Sequence, residues 1–355
     1  HAGAMNVFSR LLKDFPNSIQ SNDAKLLWAT SAIPAGKAGD VPDRLRDLAD
    51  KNSGAALLLT AKAYDARGDQ PEALKFYRRA YFFAAGSDAA KEAETKLTSL
   101  GQDLTPLNAG EAQAKADKLF DAKNYAAADK AYSDLYQNFP ASALPAVGYR
   151  RLVTLLNLRK MPEAKAAFNA IPSSAVEKED AYYQLVLGYA KAKLWPDARA
   201  AADEMRQKFP AGKRTPKAYA DAGYAARDAK NKGEETFFLT TAMTVFPLAV
   251  EVAGAQFELA WVQHDNGNFA ESSRMFVEHL ARYADKDTTN RGKAGYWAAR
   301  DSERAGKIAD ACALYRGVIY RYSANWYGYI ADQRLNALNG QGKCAAGASA
   351  TDIVA

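Results

Sequence analysis

Cysteine and histidine are scarce in this 355-residue chain, with two of the first and three of the second. No Cys-x-x-Cys and no His-Glu-x-x-His occurs, so the usual zinc spacings are absent and no metal site is expected. Cys312 and Cys344 leave two readings open, one disulfide in an oxidising compartment or two reduced thiols. No uncharged apolar run approaches the ~18 residues needed to cross a bilayer. Gly-x-Ser-x-Gly and Gly-x-Gly-x-x-Gly are both missing, and Gly36-Lys37 lacks the earlier glycine and the Ser/Thr of a phosphate loop. No cofactor is expected, and no stretch alternates as a half-buried strand would. The net charge of +6 is spread along the chain rather than gathered into blocks, which is weak ground for nucleic-acid binding.

What the chain has in excess is alanine, 74 of 355 residues. The excess goes with a repeat. Four amphipathic runs end alike, at Phe15-Pro16, Phe139-Pro140, Phe209-Pro210 and Phe246-Pro247, where proline follows a helix that it cannot continue. A second signal is a polar break, a bulky residue, a small residue three on, and an aromatic or apolar one four further. The small residue falls at 73, 128, 164, 198, 235 (a glutamate), 272 and 311. The 55-residue step between the first two equals one unit plus an extra helix near 91–100, ended by Gly101. The later steps lie near the 34-residue, two-helix period of the tetratricopeptide repeat. Paired helices in close contact need small residues in every repeat, which accounts for the alanine. Gly68, Gly267 and Gly306 fall in the turns between paired helices.

The expected fold is therefore all-α, a tetratricopeptide-like solenoid of helical hairpins forming a right-handed superhelix of about seven to nine pairs. Residues 1–5 read as the remnant of an expression tag. Residues 6–104 form N-terminal repeats with the inserted helix, 105–335 a continuous array, and 336–355 a flexible tail. Val7 to Phe15 reads as the second helix of a unit whose first is missing, as in a chain cut from something longer.

Candidate chemistry is thin. Glu271-Ser272 has the look of an acid beside a serine, but Ser272 occupies the small-residue packing position and Glu271 the solvated one next to it. His264 and His279 fall on the two helices of one unit with no carboxylate-rich companion motif. No catalytic residue is assigned, and the chain is not expected to be an enzyme on its own.

A binding surface is better supported. Aligning units by their marker brings Tyr149, Tyr183, Phe257 and Tyr296 into register on successive first helices. One turn on come Tyr224, Trp261 and Arg300, and then Arg227 and His264. In stacked hairpins the first helices line the concave face, so this ladder can grip an extended peptide or stack on sugar rings. The alternative is that these side chains fill gaps between neighbouring units.

The C-terminal segment carries a more specific signal. Ala294-Gly295-Tyr296-Trp297-Ala298-Ala299-Arg300 is followed by Gly306 to Ala311, then Tyr315-Arg316-Gly317-Val318, and then Trp326-Tyr327-Gly328-Tyr329-Ile330-Ala331-Asp332-Gln333-Arg334-Leu335. About 40 residues here resemble, in order and spacing, the end of the superhelical domain of soluble lytic transglycosylases. In that family a catalytic domain follows, with a Glu-Ser pair ahead of a Gly-Leu-Met-Gln-like run. Nothing like that run occurs in this chain, so no catalytic residue carries over. The resemblance implies a bacterial cell-envelope or periplasmic setting and a non-catalytic scaffold holding glycan or peptide on its concave face, either part of a longer peptidoglycan lytic transglycosylase or a repeat protein that shares this ending. The alternative function is a general adaptor for a protein partner in envelope assembly or secretion. Nucleic acid is not an expected partner.

Overall fold

The computed structural model describes residues 1–344. Among the described residues there is no strand, and the chain forms nineteen α-helices in two units divided between Glu177 and Lys178. The first unit contains α1 (Ala2–Asp14), α2 (Ser21–Ala32), α3 (Val41–Asp50), α4 (Gly54–Ala66), α5 (Gln70–Phe83), α6 (Asp88–Ser99), α7 (Ala109–Asp121), α8 (Tyr125–Asn138), α9 (Pro145–Asn157) and α10 (Met161–Ala170). The second contains α11 (Lys178–Lys191), α12 (Trp195–Lys208), α13 (Thr215–Asp228), α14 (Lys232–Val245), α15 (Val252–Asp265), α16 (Phe269–Tyr283), α17 (Arg291–Arg304), α18 (Ile308–Tyr322) and α19 (Trp326–Gly340).

The repeat predicted from small residues is the packing unit. Ala73, Ala128, Ala164, Ala198, Ser272 and Ala311 have no exposed surface, and Glu235 has 1%. Four residues on, Tyr77, Tyr132, Phe168, Ala202, Leu239, Phe276 and Tyr315 are equally buried. An i, i+4 pair shares one helix face, so each second helix presents a small residue and then a filler to its partner. The buried phenols keep a polar partner. Tyr132, Tyr219 and Tyr315 donate to Asp117, Asp203 and Glu303 over 2.7, 2.7 and 3.0 Å.

The turns repeat as strictly. Five residues before each marker stands a residue with positive φ: Gly68, Lys123, Arg159, Lys193, Lys230, Gly267 and Gly306. The next residue donates its backbone N–H to the carbonyl five back, as in Asn124 to Leu119, Leu194 to Tyr189 and Lys307 to Ser302, each at 2.9 Å. That is the closing bond of a Schellman cap. The same residue opens the following helix. Where it is Asp69, Asn124 or Asn231, its side chain accepts from the third residue on.

The Phe-Pro endings share one geometry. Phe15, Phe139, Phe209 and Phe246 take φ between −127° and −135° and ψ between 51° and 61°. Each still donates its N–H to the carbonyl four residues back, at 2.7 to 3.0 Å. The following proline excludes the helical conformation from these residues, and the helices stop there.

The extra helix is present as α6, and the chain divides into its two units at 177/178. The division follows a short second helix, the 10-residue α10, and a non-helical stretch from 171 to 177. The segment read as a tail from 336 is helical to Gly340, and Cys344 is joined to Cys312 with Cα atoms 5.9 Å apart. Of the two cysteine readings, the disulfide holds. The rest of the expected tail lies outside the described residues.

Candidate functional site

In the second unit α11 packs on α13, α13 on α15, and α17 on α19, so the first helices form a layer. The register positions bridge that layer step by step. Tyr183 Oη donates to Asp221 on α13 over 2.6 Å. Arg227 reaches Glu258 on α15 over 2.7 Å and lies over the Tyr224 ring. His264 Nδ1 meets Asp301 on α17 at 2.8 Å. Glu303 on α17 is bound by Arg334 of α19 and by Arg300, the latter at 2.9 Å.

Of the nine ladder residues, Tyr149 stands half-buried on α9 in the first unit. Tyr183, Tyr224, Arg227, Trp261, His264, Tyr296 and Arg300 lie on the first-helix layer of the second unit. Phe257 is the one buried member of the nine. It is 3% exposed, its ring packed on Phe276, His279 and Trp261. Its position on α15 turns the ring into the hairpin, against α16. Tyr296 is half-buried among Trp297, Tyr315 and Tyr327. It combines the two readings left open, gap-filling on one side and partly accessible on the other.

Two open clefts lie along this layer. One, of about 470 Å³, is lined by Leu187, Ala190 and Lys191 of α11 and by Asp221, Tyr224 and Asp228 of α13. The second, of about 340 Å³, is lined by Arg227, Lys232, Glu235, Glu258, Trp261, Asp265 and Lys293. There the Lys293 ammonium sits 4.9 Å from the Trp261 ring centre, a cation–π arrangement. Burial pushes the Glu235 carboxyl above its ordinary range, against the pull of Lys232 at 3.4 Å. The clefts therefore present both charges beside an aromatic surface.

At the α15–α16–α17 junction Ser272, Glu271 and His264 each have a structural partner. Ser272 donates to the Ala260 carbonyl and to Asp301. Glu271 is paired with Arg274, which holds its carboxyl below the ordinary range. His264 is ringed by Trp261, Phe269 and Trp297. His279 is wholly buried, and burial holds its imidazole below the usual range. No group of three or more metal-ligating side chains occurs among the described residues.

Residue-type reasoning missed the acids Asp221, Glu258 and Asp301, while Glu303 falls in the ladder row of Arg227 and His264. The signal was in the same register, because Asp221 and Glu258 each follow the first ladder position, Ala220 on α13 and Phe257 on α15, by one residue.

No helix of the described residues is long and apolar enough to cross a membrane. Compared with known proteins, the chain matches no curated sequence. The family model of the tetratricopeptide repeat matches residues 55–81, which span α4 and α5. Among solved structures it is similar to the P58(IPK) TPR domain, at 14% identity over 96% of this chain and 94% of that one, with a TM-score of 0.29. It is also similar to the lytic transglycosylase Slt of Pseudomonas aeruginosa, at 15% identity and TM-score 0.46. That match covers 93% of this chain and 50% of the other, so this chain spans half the length of that enzyme. A third likeness is Pseudomonas aeruginosa pilF, at 16% identity over 67% of this chain and 98% of that one, with a TM-score of 0.30. The chain is an all-α array of tetratricopeptide-type helical hairpins, with a tetratricopeptide repeat recognised at residues 55–81.

Proposed function

We propose that this chain is a non-catalytic scaffold that holds an extended segment of a protein partner along the first-helix layer of its second unit. The observation that carries the reading is the pair of clefts that flank the α13 rungs Tyr224 and Arg227. They alternate aromatic surface with charges of both signs, a pattern suited to a peptide backbone with mixed side chains. Glycan stacking has less support, because Phe257 is buried and Tyr296 is packed among three aromatic rings. We place the chain in the bacterial cell envelope. The Cys312–Cys344 disulfide supports an oxidising compartment, and the C-terminal resemblance to lytic transglycosylases supports the setting.

Selection of peptides from a displayed random library on the purified chain tests this. Selected peptides should bind saturably, and Tyr224→Ala with Arg227→Ala should weaken them by about tenfold or more. Peptides that bind the double variant equally well would overturn the site. Co-pelleting with purified peptidoglycan sacculi, without peptide binding, would transfer the reading to glycan.

A further inference from the structure

The single break in the repeat period builds a second site. α6 packs against α4 and α5, while α8 packs against α7 and α9. Between α6 and α8 lies a cleft of about 420 Å³, floored by Tyr81 of α5 and Lys115 of α7 and ended by the loop at 103–106. A neighbouring hollow of about 230 Å³ shares Tyr81, Glu94, Lys115, Leu119 and Ala127 with it. The size is that of a small-molecule pocket. Its end wall is fixed. Arg78 donates to the carbonyls of Asp103 and Thr105 at 2.9 and 2.6 Å and binds Glu111 with two nitrogens, at 2.9 and 2.8 Å. Glu111 in turn accepts from the Leu107 N–H.

Four charged side chains of this cleft, Lys115, Lys130, Glu94 and Asp134, have no ion pair among the described residues. Lys115 is half-buried, lies 4.1 Å from the Tyr81 ring centre, and donates to the Tyr81 hydroxyl. Among the described residues it has no carboxylate partner. Tyr81 accepts that bond and so keeps its own proton to donate. Lys130 on α8 adds a second cation with no ion pair among the described residues. Glu94 on α6 and Asp134 on α8 line the same cleft and likewise have no cationic partner there. The lining thus offers cations and carboxylates together, none of them in an ion pair among the described residues.

We propose that this cleft binds a small zwitterion of the amino-acid or short free-peptide class. Its carboxylate is held by Lys115, the Tyr81 hydroxyl and Lys130, and its ammonium by Glu94 and Asp134. The site is separate from the first-helix layer of the second unit and stands whether or not that layer binds a partner.

Calorimetric titration of the full chain with triglycine tests it, with N-acetyltriglycine, triglycine amide and inorganic phosphate as comparators. Triglycine should bind saturably with a Kd at or below about 1 mM. Removing either ligand charge should weaken binding by about tenfold or more, the loss of one charge-assisted hydrogen bond. Lys115→Met and Glu94→Gln should do the same. Glu94 and Lys130 are exposed, so Glu94→Gln and Lys130→Met carry the test if Lys115→Met fails to fold. Absence of saturable heat, equal affinity for the capped peptides, or phosphate binding as tight as triglycine would each overturn the proposal.

Discussion

Ser272 donates its hydroxyl proton to Asp301 over 2.7 Å, and neither side chain has any exposed surface. Every alanine at the marker position needs no such partner. Here the serine helps satisfy a carboxylate that also takes His264 Nδ1 at 2.8 Å. Ser272→Ala restores the residue type used elsewhere in the array, yet it should destabilise the chain by about 1–3 kcal/mol, because a buried acceptor loses a donor. Urea denaturation of the variant measures this; a midpoint equal to the parent's would show that Asp301 does not depend on it.

Glu235 is the other departure from alanine at the marker, and here the sign reverses. Burial raises its pKa in the folded state. The ionised form thus costs stability, and the cost grows as pH rises through the folded-state pKa. Glu235→Ala should gain about 1 kcal/mol at pH 7, and the gain should vanish below about pH 4, where the unfolded chain also holds the proton. Lys232 keeps Asp265 at 3.2 Å in the variant. Urea midpoints at the two pH values check both the sign and the window.

Glu303 behaves oppositely. Burial alone would raise its pKa, but hydrogen bonds from Arg334, Arg300 and Tyr315 outweigh it and hold the carboxyl at about 2. The stabilisation is present above the unfolded-state value and is lost as pH falls from about 4.5 to 2. Glu303→Gln should cost about 2 kcal/mol at pH 7, discounted for the partial exposure of Arg334. The difference should close at about pH 2, which thermal melts across that range would show.

The left-handed turn residues give a paired test. Lys193 holds φ at 61° and Gly267 at 77° in equivalent turns. Gly267→Ala should destabilise by about 1 kcal/mol, since a Cβ is strained there. Lys193→Gly should stabilise by a few tenths to about 1 kcal/mol, the relieved strain exceeding the added freedom of the unfolded chain. Melting the two variants beside the parent measures both, and a loss on Lys193→Gly would mean that the lysine side chain stabilises its turn.

The array was legible because its rules are local. A small residue at a fixed offset and a proline after phenylalanine act through sterics on neighbouring residues, and Ala73 to Ala311 kept their phase in the structure. Four of the seven turns were not identified by glycine, because Lys123, Arg159, Lys193 and Lys230 take the same conformation at a tolerable cost. The first-helix ladder was located, but its depth was not. Phe257 and Trp261 are one turn apart on α15, and only packing across to α16 decides that the first is core. The cleft at α6 was beyond the sequence reading for the same reason. It is made by two helices that fail to meet, and a gap leaves no periodic mark.

The Cys312–Cys344 bond also has a mechanical meaning. It joins the chain just after α19 to the second turn of α18, closing a ring between residues 32 apart in sequence. Tension applied through the chain beyond Cys344 would pass across the sulfur bridge directly into α18. α19 would lie in a slack loop, shielded from the load, and would stay folded under a pull that would otherwise peel it away first. Reduction would remove the shunt and make that helix the first element to yield.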